Sequence, residues 1–161
     1  MDLGLAGRVA LVTGASGGIG AAIARAFVSE GANVALGYHT AADEAQRLAG
    51  QFTQAGGHAL VVHHELADPH SIDAGVELVV RTWGRLDALV ASAWAAPGWL
   101  PPDTPVESVP AQAWHEQLHV NVEGTASAIK AALPQMRAQR WGRIVLISSA
   151  AADGAPGPAK K

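Results

Sequence analysis

Val9-Ala10-Leu11-Val12-Thr13-Gly14-Ala15-Ser16-Gly17-Gly18-Ile19-Gly20 is the stretch whose reading decides the fold. Its four leading apolar residues read as a strand buried on both faces. The glycine turn Thr13–Gly20 follows directly, and an alanine-rich helical pattern runs on from Ala21 to Ser29. Strand, tight turn and helix supply the phosphate-binding context that a bare glycine-rich loop lacks. Gly14 permits the turn and Gly18 lets backbone approach a pyrophosphate. Gly20 lets the helix pack close to the strand, so that the helix N-terminus faces the anion. Ser16, Gly17 and Ile19 complete the candidate cradle.

Outward from this turn, strand and helix signals alternate. Strand-like runs cover Arg8–Thr13, Asn33–Tyr38, His58–His63, Leu86–Ala91 and Arg143–Ser148. Helical patterns cover Ile19–Glu30, Ala41–Ala55, Pro69–Trp83 and Ala111–Gln139. Gly31, Gly56-Gly57 and Gly84 close three of the helices, and Asp68-Pro69 reads as an N-cap with proline at the first helical position. Alternation of this kind implies right-handed crossovers and a parallel sheet, hence a doubly wound α/β Rossmann-type domain. Ala95–Pro110 breaks the rhythm with five prolines, and with Gly98 and Trp99 among them. It follows the fourth strand, at the carboxyl edge where open sheets bind ligands. It reads either as a rigid connecting loop or as one wall of a substrate pocket.

Composition narrows the class. A chain of 161 residues is long enough for one domain burying about two thirds of its unfolded surface. Being 49% hydrophobic and 16% charged, it is globular rather than disordered. A net charge of −3, with no basic run beyond Lys160-Lys161, argues against nucleic acid and anionic membranes as partners. The absence of cysteine excludes disulfides, thiolate zinc sites and cysteine nucleophiles. With neither a signal-peptide pattern nor an apolar run of membrane-spanning length, a cytoplasmic protein is expected. One dinucleotide-binding domain over residues 1–161 is expected, with residues 150–161 as a flexible Gly/Pro/Ala tail.

Taken in order, the motifs resemble the short-chain dehydrogenase/reductase family along essentially the whole chain. Thr13–Gly20 matches its TGxxxGIG turn, and Glu65-Leu66-Ala67-Asp68 falls where the family has an acidic residue after the third strand. Leu86–Val90 matches the fourth strand, Asn121–Thr125 the NxxGT segment, and Arg143–Ser149 the fifth strand with its serine. The resemblance implies strand order 3-2-1-4-5. It also implies hydride transfer between a nicotinamide cofactor and a small-molecule carbonyl or alcohol substrate, with 3-oxoacyl reduction as the model. It assigns Ser149 to the substrate oxygen and Asn121 to positioning the active-site lysine. Glu65, Leu66, Ala91 and Ala93 would contact the cofactor. Subunit contacts along the helix Ala111–Gln139, and so a homo-oligomer, are also implied.

Three departures stand out. The family's Tyr-x-x-x-Lys begins about thirteen residues after the serine; Lys161 stands one short of that place, and the single tyrosine, Tyr38, ends the second strand. The chain is therefore expected to be a C-terminally truncated form that binds cofactor without turnover; a non-catalytic nucleotide-binding module is the alternative. The family's Asn-Asn-Ala-Gly reads Ala91-Ser92-Ala93-Trp94, with an indole where the family keeps glycine. Glu65 replaces the usual aspartate. The second strand ends Tyr38-His39-Thr40 without the acid that in NAD-preferring members accepts from the ribose 2′-hydroxyl. His39 and Thr40 could donate to a 2′-phosphate, so NADP(H) is expected over NAD(H).

His115-Glu116-Gln117-Leu118-His119 spells HExxH on a helical pattern, the arrangement of a zinc hydrolase. No histidine follows His119, and Glu123 and Asp153 are the only later carboxylates. No metal site is expected, and the zinc hydrolase stays a distant alternative. His63-His64 reads as a strand end. The strand order leaves the fifth strand on an open edge, with no helix over one face of the fourth and fifth strands. Marginal stability and self-association are expected in consequence.

Overall fold

The computed structural model describes residues 3–96 and 104–149. Pro97, Trp99, Pro101, Pro102 and the expected tail at 150–161 lie outside the described residues. Five parallel strands, β1 (Val9–Val12), β2 (Asn33–Tyr38), β3 (Ala59–His63), β4 (Ala88–Ala91) and β5 (Arg143–Leu146), form one sheet in the order 3-2-1-4-5. The crossovers carry α1 (Gly18–Ser29), α2 (Ala42–Gln54) and α3 (Pro69–Trp83). The last crossover carries α4 (Ala111–Gln117) and α5 (Gly124–Ala138). Gly31, Gly56 and Gly84 stand just past α1, α2 and α3 with positive φ, and the Asp68 side chain accepts from His70 N–H at the start of α3. A parallel sheet needs both faces covered, which explains why β1 and β4 are buried throughout.

Residue parity divides the core between the two faces. Val9, Leu11, Ala35, Val62 and Leu89 meet Ile72, Val76 and Val79 of α3 and Ala128, Ala132 and Met136 of α5. Val12, Val34, Leu36 and Val90 meet Ala24 of α1 and Leu48, Ala49 and Phe52 of α2. On β5 the register sets Ile144 beside Leu89, and Ile144 packs against the α3/α5 core. Val145 pairs with Val90 on the other face and stays 47% exposed; Leu146 is 55% exposed.

The structure corrects the reading of Ala111–Gln139 as a single α-helix. Residues Leu118–Glu123 form a π-helical turn between α4 and α5. One extra residue in the turn changes no composition, so neither periodicity nor propensity marks it. Opposite the carboxyl edge, a charged tie anchors the strand starts. Asp87 is fully buried, accepts from Val9 N–H, and takes a two-pronged bond from Arg85 at 2.6 and 2.7 Å plus one from Arg8 at 3.1 Å. Burial raises its pKa, but the Arg85, Val9 and Arg8 bonds outweigh that and hold it below the usual aspartate value. Arg8 and Arg143 also lie over the Trp141 ring, at 4.2 and 5.0 Å, where the chain enters β5.

Candidate functional site: a crevice over the carboxyl ends of the strands

A crevice of about 630 Å³ opens above the strand ends. Each wall is the loop that follows a strand: Gly14, Ser16 and Gly17 after β1, His39–Ala41 after β2, His64–Ala67 after β3, and Ser92–Ala96 after β4. Val120, from the π turn, completes it. This is the place where open α/β sheets take ligands, because the loops on either side of β1 diverge there.

The glycine turn is built by close approach. Gly14 has φ +64°, and a Cβ there would stand 2.9 Å from the Ala93 Cα. A Cβ on Gly20 would run into the Gly14 carbonyl. Gly18 meets nothing within 4 Å, so the space beside it is open to a ligand. Gly17 N–H donates to the Gly14 carbonyl, and Gly17 caps α1 with no side-chain bond, leaving first-turn N–H groups to an anion. These features fit a dinucleotide pyrophosphate.

The expected site residues fall into two groups. Gly14, Ser16, Gly17, His39, Thr40, Glu65, Leu66 and Ala93 line the crevice together. Gly20 is turned inward, Ile19 is exposed, and Ala91 is buried at the end of β4. Tyr38 meets His63 edge-on, with ring centres 5.5 Å apart. Asn121 lies behind the wall. Its amide donates to the Ala95 carbonyl (2.8 Å) and to Gln117 (2.9 Å), and its oxygen accepts from Ala95 N–H (2.9 Å). Ser149 is exposed just past β5.

Several contacts had no sequence signal. Thr13 Oγ1 accepts from the backbone N–H of Ser92 (3.1 Å) and of Ala93 (3.0 Å), tying the glycine turn to the loop after β4. No acid ends β2, yet Glu65 reaches across from the β3 loop to within 3.6 Å of His39. His63 bonds Ser71, which also accepts from Glu65 N–H. His64 is 2% exposed with neither ring nitrogen bonded, and burial, with His63 adding repulsion, lowers its pKa to about 4. In the HExxH segment, His119 pairs with Glu123 at 2.8 Å and Glu116 accepts from Gln112. Among the described residues no three His, Asp or Glu side chains are grouped to hold a metal, and no helix is long and apolar enough to cross a membrane.

Residues 8–159 match the family model of the short chain dehydrogenases. The chain belongs to that family. A 3-oxoacyl-(acyl-carrier-protein) reductase of Staphylococcus aureus is 34% identical over 153 residues, which cover 94% of this chain and 60% of the reductase. A cis-4-hydroxycyclohexanecarboxylate dehydrogenase of Sinomonas cyclohexanicum is 37% identical, covering 92% of this chain and 57% of its own. The chain thus spans about 60% of the length of the curated relatives it matches. Among solved structures, a short-chain dehydrogenase of Burkholderia cenocepacia in complex with NADP superposes with TM-score 0.78 at 33% identity, covering 95% of this chain and 60% of that one. A xylitol dehydrogenase bound to NAD+ superposes with TM-score 0.84 at 30% identity, covering 94% and 56%. Both nicotinamide cofactors therefore occur among the family members that resemble this chain.

Proposed function

We propose that residues 1–161 form the cofactor-binding portion of an NADP(H)-preferring oxidoreductase acting on a carbonyl or alcohol carbon, with 3-oxoacyl groups as the substrate class. The observation that carries this reading is the crevice itself. It is lined by the glycine turn at its centre and by His39, Thr40, Glu65 and Leu66 at one end. The bound nicotinamide supplies or accepts the hydride. Gly14–Gly20 hold the pyrophosphate on backbone N–H groups and the α1 N-terminus. Thr40 and His39 donate to a 2′-phosphate, with the Glu65 carboxylate 3.6 Å from His39. Glu65 and Leu66 bound the adenine, and Ala91 and Ala93 bring backbone close to the adenosine ribose. Ser149 orients the substrate oxygen. Asn121 acts by fixing Ala95, and through it the wall of the crevice.

These residues bind and orient, and the single tyrosine, Tyr38, packs on His63 and is not placed to act as a general acid at the substrate. We infer that this portion holds cofactor without turnover. Trp114, Leu118 and Val122, each at least half exposed along the helix after the crevice loop, support subunit contacts there. Calorimetric titration of the chain with NADPH and NADH tests the cofactor assignment. NADPH is expected to bind more tightly, and His39→Ala to narrow the gap; equal or tighter NADH binding contradicts it. NADPH oxidation by the 161-residue chain with a 3-oxoacyl thioester contradicts the binding-only assignment.

A further inference from the structure

A 2′-phosphate at the adenosine end of the crevice calls for a cation, and the lining there offers one. The loops after β2 and β3 form that end, and the titratable side chains among the described lining residues are His39, His64 and Glu65, with no lysine or arginine. His64 is not that cation. It is buried, and burial together with the repulsion of His63 lowers its pKa to about 4, so the ring is neutral. His39 is the opposite case. Its side chain is 54% exposed, and its Nε2 lies 3.6 Å from a Glu65 carboxylate oxygen. Behind it on β3, the His63 ring centre is 6.1 Å away, with the Ser71 hydroxyl 3.0 Å from the His63 Nδ1. Asp43 and Glu44 stand in the first turn of α2, and Glu44 is bonded to Arg47, with Arg25 of α1 adding attraction.

The choice of histidine for this place has a consequence in pH. Imidazole is the side chain whose charge changes between about pH 5 and about pH 8, whereas an arginine would stay charged throughout. Neutral, the ring offers one N–H; protonated, it offers two and a charge. We propose that the preference of this crevice for the 2′-phosphorylated dinucleotide is proton-linked through His39, growing as pH falls through the neutral range. NADP+ binding then takes up a proton at the imidazole, which shares its two N–H groups between the Glu65 carboxylate and the phosphate in charge-assisted bonds. The second ionisation of a phosphate monoester, at about pH 6, works the other way, because the phosphate loses charge on acidification. A preference that grows in acid therefore reports the histidine and not the ligand.

This inference rests on the NADP(H) reading, and a pH series separates the two. The 161-residue chain, its His39→Ala variant and its His39→Arg variant are each titrated with NADP+ and with NAD+ from about pH 8.5 down to about pH 6, and the ratio of the two affinities is read. In the wild-type chain the ratio is expected to rise about fivefold towards NADP+ over that range. In His39→Ala it is expected to stay level or fall, following the ligand's own titration. His39→Arg, permanently charged, is expected to prefer NADP+ at about pH 8.5 at least as strongly as wild type does at about pH 6, and it guards against a misfolded alanine variant. A wild-type ratio that favours NADP+ but does not rise on acidification overturns the proton linkage alone. A rise that persists in His39→Ala does the same, by assigning the proton to another group. An arginine variant no more selective at high pH than wild type also overturns it. Wild-type chain that favours NAD+ throughout, or that binds neither dinucleotide, overturns the NADP(H) reading with it.

Discussion

β1 and β5 carry nearly the same message, Val-Ala-Leu-Val and Arg-Ile-Val-Leu, and meet opposite fates. In β1 every residue is at most 1% exposed, and the turn that follows is clamped by Thr13 and Gly20. In β5 only Ile144 packs into the core, while Val145 and Leu146 stand about half exposed. The difference lies in neighbours. β1 has a strand on each side and helices over both faces, whereas β5 is paired on one side and α1 and α2 pack over β1 to β3. Apolar sequence specifies a strand; burial comes from what covers it.

The largest expected effect follows from that contrast. Leu11→Ala should cost about 3 kcal/mol in urea unfolding, since the cavity opens in a closed layer. A loss below about 1 kcal/mol would mean that β1 is no better packed than the edge. Next comes His64, at the rim of the same layer. Its folded pKa of about 4 lies below the ordinary 6.5, so the unfolded chain takes up the proton first. Stability is whole above pH 6.5 and falls as pH drops towards 4, by up to about 3 kcal/mol, a loss that His64→Leu should remove. The same slope in wild type and variant would show the ring is not buried neutral.

Gly20→Ala comes third, at about 2 kcal/mol, because its Cβ meets the Gly14 carbonyl. Gly18→Ala is its control. With nothing near the added methyl, the melting temperature should hold while NADPH binding weakens. A melting loss as large as that of Gly20→Ala would deny the open space beside Gly18. Smallest is Leu146→Ala on β5, expected within about 0.5 kcal/mol. Val145→Lys should lower the association state of the chain in sedimentation, because it places a charge on the open face beside the edge. An unchanged association state would contradict self-association through this face.

Much of this was legible in the sequence, and the rest failed for identifiable reasons. Asn33–Tyr38 and Pro69–Trp83 were readable to the residue because Gly31, Asp68-Pro69 and Gly84 punctuate them chemically. The glycine cradle was legible because close backbone approach demands glycine. The π turn at Leu118–Glu123 was not, since one extra residue per turn leaves the pattern of side chains nearly unchanged. Nor were the buried Asp87 with its two arginines, the unbonded His64, or the Asn121 grip on Ala95. Each depends on partners far along the chain, and residue type alone does not say which polar groups the fold will enclose.

Amide hydrogen exchange with and without NADPH reads both regions at once. Slow exchange is expected in β1, β2 and β4 of the free chain and faster exchange in β5, with NADPH adding protection at Gly14–Gly20, Glu65-Leu66 and Ala93–Ala95. Protection that leaves the glycine turn untouched, or a β5 as slow as β1, would contradict the account.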